Sequence, residues 1–175
     1  MSLSYNRWKK LFLFCFGLSI ASAFCMKWIE SDLWLHDEKI TIMGLELFYS
    51  KEKVMAVLAG IDGHVKTILS YHLHFDFVFM AGVYPGITAL CMVAKEKVKV
   101  KALKKFLYML AAIQLLAWAG DITENLYLLN WLKQPVIKND FGLYHFVVSS
   151  KWIIALTGAF VSIPVLLSRL KKKMK

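Results

Sequence analysis

The stretch FLYMLAAIQLLAWAGDITENLYLLNWL, running from Phe106 to Leu132, is long and apolar enough to cross a hydrocarbon core as a helix, yet it carries Asp121, Glu124 and Asn125 in its interior. Carboxylates and amides at that depth are costly unless a neighbouring helix or a lined cavity satisfies them. A lone span has neither, so the stretch calls for a helical bundle with a polar site inside it.

Three further segments supply the partners: Leu11 to Trp28, His72 to Ala94 and Leu143 to Leu167. With 58% hydrophobic residues, twelve Phe and six Trp in 175 residues, the chain has more apolar side chain than a soluble core of this size can hide. The expected fold is all-α: one integral membrane domain over residues 1–175, a four-helix transmembrane bundle. An amphipathic-helix cap over residues 31–71 joins the first and second spans.

Charge sets the expected orientation. Arg7, Lys9 and Lys10 precede the first span, Lys95, Lys97, Lys99, Lys101, Lys104 and Lys105 fill the second connection, and Arg169, Lys171, Lys172, Lys173 and Lys175 follow the fourth. With four crossings these fall on one side, which places both termini in the cytoplasm and the cap outside a cytoplasmic membrane. The net charge of +10 is thereby assigned to orientation and to anionic lipid headgroups, and no nucleic-acid partner is needed to explain it. Lys9-Lys10 before an apolar run ending in Ala21-Ser22-Ala23 imitates a signal peptide, but the run continues through Trp28 and Ile29, which suits a retained helix. The same small residues offer a surface for close helix contact and homo-oligomerisation. Cys15, Cys25 and Cys91 lack paired or metal-ligand spacing and are read as buried apolar residues.

Within the cap, Ser50 is an N-cap for a short amphipathic helix carrying Val54, Val57, Leu58 and Ile61, placed at the membrane interface, with Gly60 and Gly63 interrupting it before the chain enters the second span. Ahead of it, Ile40 to Tyr49 holds a single acid, Glu46, among apolar residues. Two readings stand for it: an ordinary exposed Glu on an interfacial loop, or a segment that dips toward the bundle and delivers that carboxylate.

Helical spacing gathers the polar residues. Asp121, Glu124 and Asn125 lie at i, i+3 and i+4, with Gln114 and Trp118 on the same stripe. At about 1.5 Å per residue, Glu124 sits roughly 12 Å inside Leu132. His72 and Asp76 pair at i, i+4 on the second span, and His145 and Lys151 lie at the corresponding depth range on the fourth. Three chemistries suit such a set. Glu46, Asp76, Asp121 and Glu124, with His72 and His145, are candidate ligands for a divalent metal ion. Closely spaced carboxylates can instead share protons and act as acid and base, with Asp76, Asp121 and Glu124 the catalytic candidates. A third possibility is a polar lock, in which Lys151 neutralises Asp121 or Glu124 and no ligand is bound. No His-Glu-x-x-His, phosphate-binding glycine loop or CxxC pair decides among them. Pro85 is expected to kink the second span near Tyr84, and Pro164 to bend only the cytoplasmic end of the fourth.

The combination Gly44-Leu45-Glu46-Leu47, Asp76-Phe77-Val78-Phe79-Met80 with Tyr84, and Ala119-Gly120-Asp121-Ile122-Thr123-Glu124-Asn125 followed by Leu128 resembles a family of small bacterial four-helix integral membrane proteins with an intramembrane Asp-x-x-Glu-Asn motif. The resemblance covers roughly residues 44–130. It implies a shared site containing Glu46, Asp76, Tyr84, Asp121, Glu124 and Asn125, and carries no activity with it.

The resulting functional expectation is a membrane-embedded enzyme or ligand-processing protein acting on a lipid or other amphipathic molecule from the outer leaflet, with metal-assisted hydrolysis as one form. Tyr84, Trp118 and Asn125 are the substrate-binding candidates. The competing expectation is a noncatalytic binding or transport protein, or a structural membrane subunit.

Overall fold

The computed structural model describes residues 3–171, with side chains over 4–168; the side chains of the C-terminal basic run from Arg169 onward lie outside the described residues. Among these residues the chain is almost entirely helical. It forms α1 (Leu3–Glu30), α2 (Lys51–Gly60), α3 (Gly63–Lys97), α4 (Lys101–Lys133) and α5 (Phe141–Lys171), with a short π-helical turn at Gly44–Phe48. The exception is a small hairpin of β1 (Trp34–Leu35) and β2 (Glu38–Lys39). Helices α1, α3, α4 and α5 are each long and apolar enough to cross a membrane, which makes this a multi-pass membrane protein.

Two polar caps set where helices begin in the connection. Ser50 Oγ accepts from the Lys53 backbone N–H at 3.3 Å and starts α2, whose buried Val54, Val57 and Leu58 form one stripe. Asp62 Oδ1 accepts from the Val65 N–H at 2.8 Å and starts α3 well before His72, so the second span's helix projects beyond its apolar stretch into the cap. From there α3 runs as one helix through Pro85.

The cap folds onto the bundle end rather than standing apart from it. Leu33, Ile40, Leu45, Val54, Val57 and Leu58 share one core with Leu69 and Leu73 of α3, Leu128 and Trp131 of α4, and Tyr144 and Val148 of α5. The apolar stripe of α2, expected to lie at an interface, is therefore covered by the chain's own side chains. Lys51 Nζ, donating to the Lys138 carbonyl at 2.6 Å, fastens the cap to the α4–α5 connection.

Helix α3 is the hub, packing against α1, α4 and α5, while α1 makes its extensive contact with α3 alone. That contact is close because Gly82 has no side chain: a Cβ there would lie 2.9 Å from the Ser19 backbone nitrogen and 3.0 Å from the Cys15 carbonyl oxygen. Of the Ala21-Ser22-Ala23 group, Ser22 is buried and donates to the Leu18 carbonyl, while Ala21 and Ala23 are exposed. The rest of α1, including Phe14, Phe16, Phe24 and Trp28, is an apolar surface suited to lipid.

Candidate functional site

The site is organised around one ammonium group. Lys151, buried on α5, donates to Asp121 Oδ1 and lies at ion-pair distance from Glu124 Oε2, both on α4; Glu46 Oε2 is 3.6 Å away. Spacing of i, i+3 on α4 presents both carboxylates to one cation. Glu124 is fully buried, and its Oε1 has no partner among the described residues.

Glu46 reaches this cluster because of the π-helical turn. The Tyr49 N–H bonds to the Gly44 carbonyl at 2.7 Å, and the Tyr49 ring then occupies the space where a side chain on residue 44 would sit, with a Cβ only 2.4 Å from Cζ. Glycine is required there by this close approach. Tyr144 secures the turn from α5, its hydroxyl donating to the Leu45 carbonyl at 3.2 Å. Trp152 Nε1 donates to Glu46 Oε2 at 3.2 Å. Burial pushes the Glu46 carboxyl above the usual carboxylate range, and Lys151 opposes that rise.

The remaining acids are tied across helices. Asn125 of α4 donates from Nδ2 to Asp76 Oδ2 at 2.8 Å and to the Leu73 carbonyl at 3.1 Å, so its amide fixes the carboxylate of α3. Tyr84 donates to Asp121 Oδ2 at 2.8 Å and stacks on Trp118 behind it, with ring centroids 6.4 Å apart. Asp121 thus has both oxygens engaged. No hydrogen bond or ion pair among the described residues engages Asp76 Oδ1 or Glu46 Oε1.

These groups line a cleft of about 460 Å³. Its floor holds Glu46, Asp76, Tyr84, Asp121 and Lys151; its walls are apolar, including Ala23 and Met26 of α1, Phe79 and Val83 of α3, and Ala155 of α5. Met43 and Phe48 stand at its edge and are exposed, Phe48 at 74%. Since α1 packs chiefly on α3, the side between α1 and α5 is where the cleft has no extensive helix contact to close it.

At the cap end of the cleft a second polar group appears. Lys27 donates to Glu30 Oε2 at 2.5 Å, Glu30 Oε1 accepts from the Ile42 backbone N–H at 3.2 Å, and His72 lies beside them, 3% exposed, its Nδ1 without a partner.

The structure therefore brings together Glu46, His72, Asp76, Tyr84 and Asp121 along one cleft. Glu124 and Asn125 stand behind it, acting on Lys151 and Asp76. Trp118 backs Tyr84 without lining the cleft, and His145 packs on Phe141 away from it. The six proposed metal ligands are not assembled as a set: among the described residues no group of three His, Cys, Asp or Glu side chains is placed to hold a metal ion. The physical reason is Lys151, whose ammonium occupies the point on which Glu46, Asp121 and Glu124 converge. Trp152, Tyr144 and the Lys27–Glu30 pair were not legible as site residues. Only the i, i+3 spacing of the last pair offered a signal.

No protein-family model matches this chain, and neither a curated protein nor a solved structure matches it.

Proposed function

We propose that the protein takes an amphipathic molecule from the bilayer into this cleft and processes its polar end there. The observation that carries the reading is the pairing of two unengaged carboxylate oxygens, Asp76 Oδ1 and Glu46 Oε1, with an apolar cleft whose edge bears exposed Phe48 and Met43. A purely structural polar network has no use for unpartnered oxygens beside a cavity. Hydrolysis is the simplest chemistry: one carboxylate takes a proton from water as its oxygen attacks an ester or phosphoryl centre, and a carboxyl returns a proton to the leaving oxygen. Asp76 and Glu46 are then the groups in contact with substrate. Asp121, held by Lys151 and Tyr84, positions the ammonium, and Glu124 balances its charge.

A structural role is favoured for one part of the site. The Lys151–Asp121–Glu124 network ties α4 to α5 through a buried ion pair. Permeation has weaker support, because beyond Tyr84 toward the α3–α4 connection the bundle holds buried apolar clusters: Cys91 with Leu110 and Ala111, then Ala94, Val98 and Leu107.

The basic residues at the α3–α4 connection orient that end to the cytoplasm and the cap to the opposite side, so the ligand enters from the outer leaflet. An impermeant thiol reagent is expected to label Lys51→Cys from outside in intact cells, and protection of that residue would reverse the orientation. For the activity itself, proteoliposomes made from extracted membrane lipid are incubated with the protein or with Asp76→Asn, and the lipids profiled by mass spectrometry. Consumption of one amphiphile by the native chain alone is expected. Identical profiles together with no co-purifying amphiphile would overturn the reading.

A further inference from the structure

We propose that the polar end accepted by this cleft is cationic, an amine carried on an apolar tail. The inference rests on the cleft being an amphiphile site and adds the charge of the ligand. Glu30, Glu46, Asp76 and Asp121 line the cleft with Glu124 behind Lys151, against two lysines, Lys27 and Lys151. Both lysines are already committed: Lys27 to Glu30, and Lys151 to Asp121, Glu124 and, through Oε2, Glu46. In the ionised form the oxygens left over, Asp76 Oδ1 and Glu46 Oε1, are acceptors, and an acceptor calls for a donor. An ammonium offers three donors and the opposite charge, so it answers both.

A second and independent feature points the same way. The His72 ring lines the cleft, is 97% buried by its 3% exposure, and makes no hydrogen bond to the protein. Leaving a buried ring nitrogen unpaired costs about 1–3 kcal/mol unless something arrives to bond it. A neutral imidazole presents one acceptor nitrogen, which makes it a further acceptor one helical turn from Asp76 on the same face of α3. Acceptors on the floor and on the cap-side wall thus surround a position whose two ammonium groups are already paired with acids. The apolar walls formed by Met26, Phe79, Val83 and Ala155 would take the tail.

The test uses three photoactivatable probes with the same dodecyl chain and a terminal diazirine, bearing a primary amine, a hydroxyl or a carboxylate, added to the full-length protein in zwitterionic nanodiscs. Labelling of cleft peptides is read by mass spectrometry. The amine is expected to label peptides containing Phe48, Phe79 or Trp152 about tenfold more than either other probe, the ratio given by one well-placed charge interaction. Asp76→Asn with Glu46→Gln is expected to erase that preference, and His72→Phe to reduce it, while labelling by the hydroxyl probe is unchanged. Equal labelling by amine and hydroxyl, or preference for the carboxylate, would overturn the cationic ligand while leaving an amphiphile site standing. Absence of cleft labelling by all three would instead overturn the amphiphile site itself. Because the probe series is run on the native chain, the outcome does not depend on any variant folding.

Discussion

The two ends of this bundle handle buried polarity in opposite ways. Toward the α3–α4 connection, the polar side chains are used up inside the chain: Gln114 Nε2 donates to the Leu110 and Ile154 carbonyls, Thr88 to the Ala111 carbonyl, and Ser162 to Cys91 Sγ. Gly82 and Gly158 let neighbours close to distances a side chain would forbid. Gln114 Oε1 is the one buried side-chain atom there without a partner among the described residues. Toward the cap, four carboxyl groups and a histidine line a cleft, with a fifth carboxyl behind Lys151, and Asp76 Oδ1 and Glu46 Oε1 are left unengaged. Tight packing with satisfied donors suits a scaffold; surplus acceptors beside a cavity are what the proposed binding site rests on. The same four helices carry both, divided at about the level of Tyr84.

The sharpest way to break that division is Lys151→Met. It leaves Asp121 and Glu124 buried without their cation, and stability in detergent is expected to fall by about 3–5 kcal/mol. Adding Asp121→Asn should restore part of the loss, since the two changes touch one network. A melting curve no different from that of the native chain would show that the cluster is not an ion-paired lock.

In the scaffold half, Gly82→Ala places a methyl group against the Ser19 backbone and the Cys15 carbonyl. Backbone cannot yield as a flexible side chain does, so a loss of about 2–3 kcal/mol is expected, readable as a lowered thermal midpoint. Full tolerance would mean that the α1–α3 approach is looser than described. At the dividing level, Tyr84→Phe removes one donor from Asp121 and is expected to cost about 1.5 kcal/mol. Its effect should vanish in an Asp121→Asn background if the hydroxyl acts through that carboxylate. The smallest effect is expected in the cap, where Ser50→Ala removes the α2 N-cap for about 0.5–1 kcal/mol, seen as faster amide exchange over residues 51–60 with the cleft unaltered.

Much of this arrangement was readable beforehand, for reasons of period and composition. Four apolar runs with basic residues at alternate ends point to four long helices, and i, i+3, i+4 spacing places Asp121, Glu124 and Asn125 on one surface. Of the two readings of Glu46 the inward one holds, and the structure places it at Lys151. What helical spacing cannot supply is which acid meets which partner, since that depends on the angle and offset between helices. So Lys151 meets Asp121, Glu124 and Glu46, while the oxygens without a partner on cleft-lining acids are on Asp76 and Glu46. The helix that carries the second span, read as resuming at His64 ahead of the apolar stretch from His72, begins at Gly63 with Asp62 as its N-cap. Contributions from Trp152 and Tyr144 come from the π-helical turn folding over α5, a contact between segments distant in sequence.

Whether the cleft is a ligand site is tested most directly by a high-resolution density map of the native protein in lipid nanodiscs. An elongated density is expected between α1 and α5, its tail along Met26, Phe79 and Val83 and its polar end within hydrogen-bond reach of Asp76 Oδ1 and Glu46 Oε1. A cleft closed by α1 docking against α5, with those two oxygens bonded to the chain's own donors, would contradict it.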